Sequence, residues 1–242
     1  MQCTFHVSDK SQTNSLRYNG DKGRLLVFIG HLAVAFASKR LAPKTSLGTL
    51  IAAAELLDLL WPVFVLVGWE RVEIDPGNTA FTPLNFVSYP ISHSLLAAAG
   101  WATLFAILYY VVTRYQKGAV LVWFGVISHW VLDFVVHRPD LPLYPGGPRL
   151  GLGLWNSIVA TVIVEGLMYS VGIWIYLRVT RANDRIGKWG MVAFIVVVGS
   201  TYVANVFSPP PPGVKALVIT AIPLMWLLVL WAWWFDRHRT TR

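Results

Sequence analysis

Residues 119–137 read AVLVWFGVISHWVLDFVVH, an apolar run interrupted by two histidines and one aspartate. A helix needs about 20 apolar residues to cross the hydrocarbon core of a bilayer, so this run is long enough to span it. Because backbone polar groups cannot stay unpaired in hydrocarbon, the run is predicted to be helical. His129, Asp133 and His137 follow one another at intervals of four residues, which places their side chains on one face of that helix.

Six further apolar runs lie on both sides of this helix. They cover residues 25–38, 46–69, 91–115, 155–178, 189–208 and 216–235. The first run is short and contains His31, which predicts a short buried span or a re-entrant segment. The fold class is therefore predicted as all-α, a polytopic transmembrane helical bundle of six to seven membrane helices. Residues 1–24 are predicted to be a polar tail, and residues 25–242 a single transmembrane domain in which 25–160 carry the site and 161–242 support it.

The composition points to a membrane protein as well. The chain has 242 residues, of which 55% are hydrophobic and only 13% charged, whereas about 25% are charged in a soluble domain. Its twelve Trp and nine Tyr suit a protein with two water–lipid boundaries. The net charge of +8 resides mostly between apolar runs, so we expect membrane lipids as partners and no nucleic acid. The single cysteine, Cys3, excludes an intramolecular disulfide and a multi-cysteine metal cage.

Lysine and arginine counts predict the orientation. If all seven runs cross, the two sides hold 8 and 12 basic residues, and if the first run does not cross, they hold 4 and 16. Both counts place the 70–90 and 138–154 loops outside the cytoplasm and the C-terminus inside. We therefore expect an integral protein of a bacterial-type inner membrane with a cytoplasmic C-terminus. The charge rule favours six crossings, whereas the depth of His31 favours seven.

Ionisable side chains inside the apolar runs are the candidate functional residues, because such residues are rare and usually functional. They are His31, Glu55, Asp58, His93, His129, Asp133, His137 and Glu165. Their depths along the runs place most of them together in the outer half of the membrane. Imidazole and carboxylate groups are ligands for zinc and other divalent metals. The predicted metal ligands are His31, Asp58, His93, His129 and Asp133.

Two of these carboxylates are also candidate catalytic residues, namely Glu55 and Asp58. Glu55 is predicted to accept a proton or to orient a histidine from the second shell. A structural polar network and a proton or ion pathway remain alternatives for the whole set. For Glu165 the main alternative is an interhelical hydrogen bond. At the start of the third run, Pro90 and Ser92 predict a helix that begins there with Ser92 as its N-cap.

The two long loops over the predicted site supply further candidates. Arg138 and Arg149 are able to hold an anionic headgroup or a phosphate bidentately, or simply to solvate the loop. His137, Asp140 and Asn156 are predicted to line the same mouth as second-shell or substrate-binding residues.

Four short motifs occur in order over about residues 25–160. They are GHL at 30–32, LLD at 56–58, ISHSLL at 91–96 and SHWVLD at 128–133. This pattern resembles the membrane-bound metal-dependent hydrolase family, the YdjM-like proteins. The resemblance implies that the five predicted ligands form the metal-binding and catalytic set. Leu60 and Ser88 stand at two positions where that family often has an aspartate and a histidine.

The leading functional hypothesis is a metal-dependent hydrolase that acts on an ester or phosphoester of a lipid or lipid-linked substrate at the non-cytoplasmic side. Zinc is the expected cofactor, because it lowers the pKa of bound water toward 7 and polarises carbonyl or phosphoryl oxygens. Two hypotheses of other classes remain open. One is a proton-coupled transporter that uses the intramembrane carboxylates, and the other is a non-catalytic membrane scaffold with a structural polar network.

Overall fold

The computed structural model describes residues 28–242, so the predicted polar tail, residues 1–24, lies outside the described part of the chain. The helices within it are α1 (Ile29–Ser38), α2 (Leu47–Ala54), α3 (Leu56–Leu66), α4 (Pro90–His93), α5 (Leu95–Thr113), α6 (Gln116–Val136), α7 (Ile158–Val179), α8 (Arg185–Phe207) and α9 (Val214–Asp236). The strands are β1 (Arg71–Ile74), β2 (Leu84–Ser88), β3 (Leu141–Pro142), β4 (Arg149–Leu150), β5 (Thr180–Ala182) and β6 (Arg239–Thr241), and Leu154–Asn156 form one 3-10 turn.

Five helices, α5 to α9, are long and apolar enough to cross a membrane. A sixth span forms if α2 and α3 are counted together, because they are separated only by a 56° bend. The bend lies at Glu55, whose backbone angles of φ −103° and ψ 7° interrupt the helix. The prediction of an all-α transmembrane bundle is confirmed, with five or six spans among the described residues and α1 as an additional short helix.

The short helix α1 occupies the centre of the bundle. Its ten residues extend about 15 Å, half the thickness of the hydrocarbon core, yet eight of them are buried. It packs against α2, α6 and α7. The contact with α7 is close: a Cβ atom on Gly172 would lie 2.5 Å from the carbonyl oxygen of Ala33. By contrast, only Ala98 and Ala102 are buried along the nineteen residues of α5, which leaves most of that helix for lipid.

The spans alternate in direction, so the molecule has two ends. At the hairpin end, β1 and β2 pair antiparallel, and so do β3 and β4 in the loop between α6 and α7. At the basic end, β5 and β6 pair and hold the C-terminal segment against the turn between α7 and α8.

Positive charge is concentrated at the basic end. Of the basic residues in the part that the structure describes, four lie at the hairpin end, namely Arg71, Arg138, Arg149 and Lys215. The other twelve lie at or near the basic end: Lys39, Arg40, Lys44, Arg114, Lys117, Arg178, Arg181, Arg185, Lys188, Arg237, Arg239 and Arg242. There, Arg178 lies over Trp174, Lys188 over Trp189 and Arg237 over Trp233. Basic side chains against tryptophan rings are typical of the boundary between a membrane and water.

A buried ion pair fixes the basic end. The Lys39 Nζ atom lies 2.7 Å from Oδ2 of Asp236 and donates a second hydrogen bond of 2.9 Å to the carbonyl oxygen of Thr45. Asp236 Oδ2 also accepts from the backbone N–H of Leu47 at 2.8 Å, and its Oδ1 accepts from the hydroxyl of Tyr176 at 2.5 Å. This basic-end network connects α1, α2, α7 and α9.

Candidate metal centre

The five predicted ligands meet in one place between α1, α3, α4 and α6. The exposed fraction is 4% for His31, 2% for His93, 0% for His129 and 3% for Asp133. The side chain of Asp58 is the most accessible of the set, at 15%. The structure therefore brings these five side chains together, although they span about a hundred positions of the chain.

Asp133 is the centre of this His/Asp cluster. Its Oδ2 lies 3.3 Å from Nε2 of His129 and 3.6 Å from Nε2 of His93. Its Oδ1 lies 3.3 Å from Nε2 of His31. On the other side, Oδ1 of Asp58 lies 3.4 Å from Nε2 of His93 and 3.8 Å from Nε2 of His129.

These separations are longer than direct hydrogen bonds and match those between ligands of one metal ion. Charge-assisted hydrogen bonds between nitrogen and carboxylate oxygen are about 2.7–2.9 Å long. Ligand atoms around a tetrahedral zinc, at bond lengths of about 2.0–2.1 Å, lie about 3.3–3.4 Å apart. Three atoms of the cluster, Nδ1 of His31, Nε2 of His129 and Oδ2 of Asp133, are buried without a hydrogen-bond partner. Such groups are expensive to bury, and a cation between His129 Nε2 and Asp133 Oδ2 would satisfy these two.

Two overlapping sets of three residues in the described part of the chain could hold an ion. They are His31 with His129 and Asp133, and Asp58 with His93 and His129. Both sets need His129, whose Nδ1 lies 2.7 Å from the carbonyl oxygen of Ala54 at the α2–α3 bend. That hydrogen bond leaves only Nε2 as a ligand atom, so both sets share this one nitrogen.

The ring of His31 stacks on that of His129, with centroids 3.9 Å apart and an interplanar angle of 4°. His93 meets His129 edge to face at 5.3 Å. The three imidazoles therefore support one another before any ligand binds, and the Ala54 carbonyl fixes the orientation of the middle ring.

His93 is held by two residues that sequence reasoning did not place in the site, Ser92 and Glu70. Ser92 Oγ lies 2.7 Å from Nδ1 of His93 and 2.6 Å from Oε2 of Glu70. The prediction of Ser92 as an N-cap is wrong, because the helix is interrupted at Ser94 (φ −72°, ψ 147°), which caps α5 through Ala97. This interruption separates the single turn α4 from the long span. Glu70 is buried just after α3, and its sequence context does not distinguish it from the more exposed acids that follow.

A cavity of about 30 Å³, with room for about two water molecules, adjoins the cluster. Its polar side is formed by Asp58, His93, Asp133 and His137, and its apolar walls by Phe28, Trp61, Leu84, Phe86, Trp155, Leu217, Ala221 and Met225. The last three residues come from α9, so the helices that were predicted only to support the site also build its wall. Periodicity alone does not reveal which face of α9 points inward.

His137 borders the cavity and is hydrogen-bonded to the loop that follows α6. Its Nδ1 lies 2.9 Å from Oδ1 of Asp140, which also accepts from the Tyr89 hydroxyl at 2.9 Å. The His137 ring packs against Trp155, with centroids 4.3 Å apart. Burial acts to raise the pKa of Asp140, but the hydrogen bonds from His137 and Tyr89 outweigh it and hold that pKa below its usual value. Burial and the nearby Asp140 carboxylate raise the pKa of Tyr89 well above its ordinary value.

Of the predicted loop residues, Arg138 is held by hydrogen bonds to other side chains, whereas Arg149 and Asn156 are exposed. Arg138 donates to Oδ1 of Asn85 at 2.7 Å and to Asp140 at 3.2 Å, so its guanidinium group already has hydrogen-bond partners. Arg149 is exposed and donates to the carbonyl oxygen of Val87 at 3.0 Å. Asn156 is exposed, and the adjacent residue Trp155 lines the cavity instead.

A second, outer cleft of about 270 Å³ lies at the hairpin end. It is lined by Ser88, Tyr89, Pro90, Asp140, Pro142, Gly146, Gly147 and Arg149. Tyr89 and Asp140 contribute to this cleft and also contact His137, which borders the inner cavity. Ser88, which stands where the resembling family often has a histidine, belongs to the cleft and not to the cluster.

The remaining buried carboxylates lie beside the cluster. Glu165 on α7 accepts a 3.2 Å hydrogen bond from the backbone N–H of Ile29, so it caps the start of α1. This is the interhelical hydrogen bond that was the alternative to a site role. Glu55 is 7% exposed and lies at the α2–α3 bend, one turn before Asp58, outside both sets of converging ligand atoms.

The site has to be interpreted from its own geometry. The chain matches no family model, no curated protein and no solved structure. Buried histidines and aspartates of this arrangement could hold a metal ion, with the edge of Asp58 open to a small cavity. The resemblance to the membrane-bound hydrolases stays a prediction.

Proposed function

We propose that this chain is an integral membrane metal-dependent hydrolase that acts on an ester or phosphoester of a lipid or lipid-linked substrate. One observation carries the proposal: three histidines and two aspartates from four helices converge inside apolar spans at ligand–ligand distances of 3.3–3.8 Å. Ionisable groups within a membrane are expensive, and they persist where they have a function.

The donor set favours zinc over magnesium or calcium. Imidazole nitrogen with carboxylate oxygen is typical of zinc, whereas magnesium and calcium prefer oxygen ligands alone. Because both candidate sets share Nε2 of His129, one ion per chain is expected. When bound, such an ion supplies a Lewis acid that polarises a phosphoryl or carbonyl oxygen and activates water.

The protein's own residues position and move the reacting groups. Asp58 presents a carboxylate edge to the cavity, where it can orient a water molecule or a substrate oxygen. Glu55, one turn earlier on the same span, is proposed as the proton acceptor. His137 borders the cavity with its Nδ1 tied to Asp140, so its other nitrogen is free to contact a substrate.

The surroundings of the site support a lipidic substrate at the non-cytoplasmic face. The cavity wall formed by α9 is apolar, whereas its floor is polar, as a substrate with a hydrocarbon body and a polar scissile group requires. Only four of the basic residues in the described range lie at the hairpin end. By the positive-inside rule, that end faces away from the cytoplasm and the C-terminus faces it, as in a bacterial-type inner membrane.

The metal content of detergent-purified full-length protein tests the binding part of this proposal. Elemental analysis should find one zinc per chain in the wild type and almost none in His129→Ala. His238→Ala is the matched control, because this histidine is partly exposed at the basic end and pairs with Asp184. A wild-type protein without stoichiometric divalent metal, or a His129→Ala variant with unchanged metal content, would overturn the proposal.

Hydrolysis of simple chromogenic esters and phosphodiesters in mixed micelles tests the catalytic part. The activity should require zinc and should fall in Asp58→Asn and Glu55→Gln, with metal content kept in Glu55→Gln. Metal-free protein that drives uptake along a pH gradient in proteoliposomes would favour the transporter hypothesis instead. Thermal destabilisation by Asp58→Asn without any metal dependence would favour the scaffold.

A further inference from the structure

The buried carboxylate of Glu70 lies next to the His/Asp cluster without being part of it, and both of its oxygens accept hydrogen bonds. Its Oε1 accepts hydrogen bonds from the backbone N–H groups of Ile91 at 2.8 Å and Ser92 at 2.7 Å. Its Oε2 accepts a 2.6 Å hydrogen bond from the hydroxyl of Ser92. Pro90 begins the turn α4 without an N–H, so these two backbone donors are the first that the turn has to satisfy.

This arrangement determines the direction of the hydrogen bonds. A serine hydroxyl has one proton to donate, and here Ser92 donates it in a hydrogen bond to the Glu70 carboxylate. Ser92 Oγ can therefore act only as an acceptor toward Nδ1 of His93, 2.7 Å away. The imidazole must then carry a proton on Nδ1, and in its neutral form it keeps its lone pair on Nε2. That lone pair faces Oδ1 of Asp58 and Oδ2 of Asp133, at 3.4 and 3.6 Å.

We infer that Glu70 is a positioning residue that, through Ser92, sets the tautomer and the orientation of His93 and so prepares Nε2 to bind a metal ion. Histidine ligands in proteins commonly donate their second nitrogen to a carboxylate, a carbonyl or water, and the loss of such a partner typically lowers metal affinity 10- to 100-fold. The consequence for metal binding rests on the proposed function, whereas the tautomer does not.

The inference also explains the interruption of the third span. In a continuous helix through residues 90–113, the regular helical geometry would fix the directions of the Ser92 and His93 side chains. The break at Ser94 instead lets Ser92 turn toward Glu70 and His93 toward the cluster. The cost is the loss of regular hydrogen bonds at the break, which the Ser94 cap and the three bonds to Glu70 offset.

The hydrogen positions can be measured directly. In full-length protein labelled with [15N]histidine, with His93→Asn used to assign the resonance, metal-free wild type should carry the His93 proton on Nδ1. Glu70→Gln is the sharpest variant, because it keeps the shape but replaces an acceptor with an amide donor. The Ser92 hydroxyl is then free to donate to Nδ1, and the proton of His93 should move to Nε2. An Nε2–H tautomer in the wild type, or an unchanged tautomer in Glu70→Gln, would overturn the inference.

Zinc titration provides the second measurement. Glu70→Gln and Ser92→Ala should raise the zinc Kd by about 10- to 100-fold, whereas Ser92→Thr keeps the hydroxyl and should stay within about threefold of wild type. Ser46→Ala is the matched control: it removes the cap of α2 at the basic end, so it should lower thermal stability without changing the zinc Kd. Equal zinc affinity in wild type and Ser92→Ala would contradict the positioning role. A wild type that binds no zinc contradicts the proposed function, and the tautomer of the metal-free protein then still tests the inference.

Discussion

Helix α1 carries a buried polar cluster near each of its ends, and the two clusters differ in one respect. At the basic end, Lys39 and Asp236 are 2.7 Å apart and further donors complete the network. Near the start of α1, His31 joins a cluster whose nitrogen–oxygen separations are 3.3–3.8 Å and in which His129 Nε2 and Asp133 Oδ2 have no partner. The first cluster is complete without a ligand, whereas the second has the spacing and the unpaired atoms of a binding site. The two clusters thus differ in whether their buried polar atoms satisfy one another.

The largest effect on stability is expected from the basic-end network. Lys39→Met removes one partner of a buried ion pair and leaves Asp236 without its countercharge, which should lower the free energy of unfolding by about 3–5 kcal/mol. Reversible unfolding by SDS in mixed micelles measures it. Lys44→Met, at an exposed position of the same segment, should have little effect. Zinc affinity should be equal in Lys39→Met and wild type, and a large loss of affinity would show that the two clusters are not separate.

The metal cluster should show the opposite behaviour. Zinc at about 100 times its Kd should stabilise the wild type by about 2.7 kcal/mol. Asp133→Asn keeps the shape of the side chain and removes the charge at Oδ2, which lacks a hydrogen-bond partner, so the metal-free variant should lose much less stability than Lys39→Met does. Zinc should no longer stabilise it. A strong loss of stability in metal-free Asp133→Asn would make the cluster a structural network like that of the basic end.

The close contact between α1 and α7 should matter for both clusters. Gly172→Val puts a Cβ atom 2.5 Å from the carbonyl oxygen of Ala33, so α1 has to shift, at a cost of about 1–3 kcal/mol. Zinc affinity should fall as well, because His31 moves with the helix. Gly166→Val is the control on the same helix, since a Cβ there meets no atom within 4 Å. Equal thermal stability and zinc affinity in the two variants would contradict this packing.

The smallest effect concerns the loop over the cavity. Because hydrogen bonds hold the pKa of Asp140 below its usual value of about 3.9, its ionised form stabilises the fold at neutral pH, and this contribution is lost as the pH falls through the lowered pKa. Asp140→Asn should therefore lower stability at pH 7 by about 1 kcal/mol and weaken its decline below about pH 4. Asp75→Asn, at an exposed position, serves as the comparison in the same unfolding titration. An identical pH dependence in wild type and Asp140→Asn would contradict it.

Much of the fold and the cluster could be predicted from the sequence, because both depend on patterns that a bilayer imposes. Apolar runs of the right length must be helices, and ionisable residues such as His129 and Asp133 stand out against them. Depth along each run was enough to place His31, Asp58 and His93 at one level.

What the sequence did not reveal depends on tertiary contacts. Lys39 and Asp236 are almost two hundred residues apart, and nothing in their neighbourhoods indicates that they pair. Glu70 resembles any loop acid until the turn α4 places two backbone N–H groups against it. Ser92 and Ser94 both fit the sequence pattern of a helix N-cap, so the pattern does not show that the helix is interrupted at Ser94.

X-ray absorption at the zinc edge tests the central claim most directly. Purified wild type loaded with one equivalent of zinc should show four or five nitrogen and oxygen ligands at about 2.0–2.1 Å, with the outer-shell scattering of at least two imidazoles, and His93→Ala should lose one imidazole contribution. A wild-type spectrum without imidazole scattering, or one that His93→Ala leaves unchanged, would contradict the assignment of the His/Asp cluster as a metal centre.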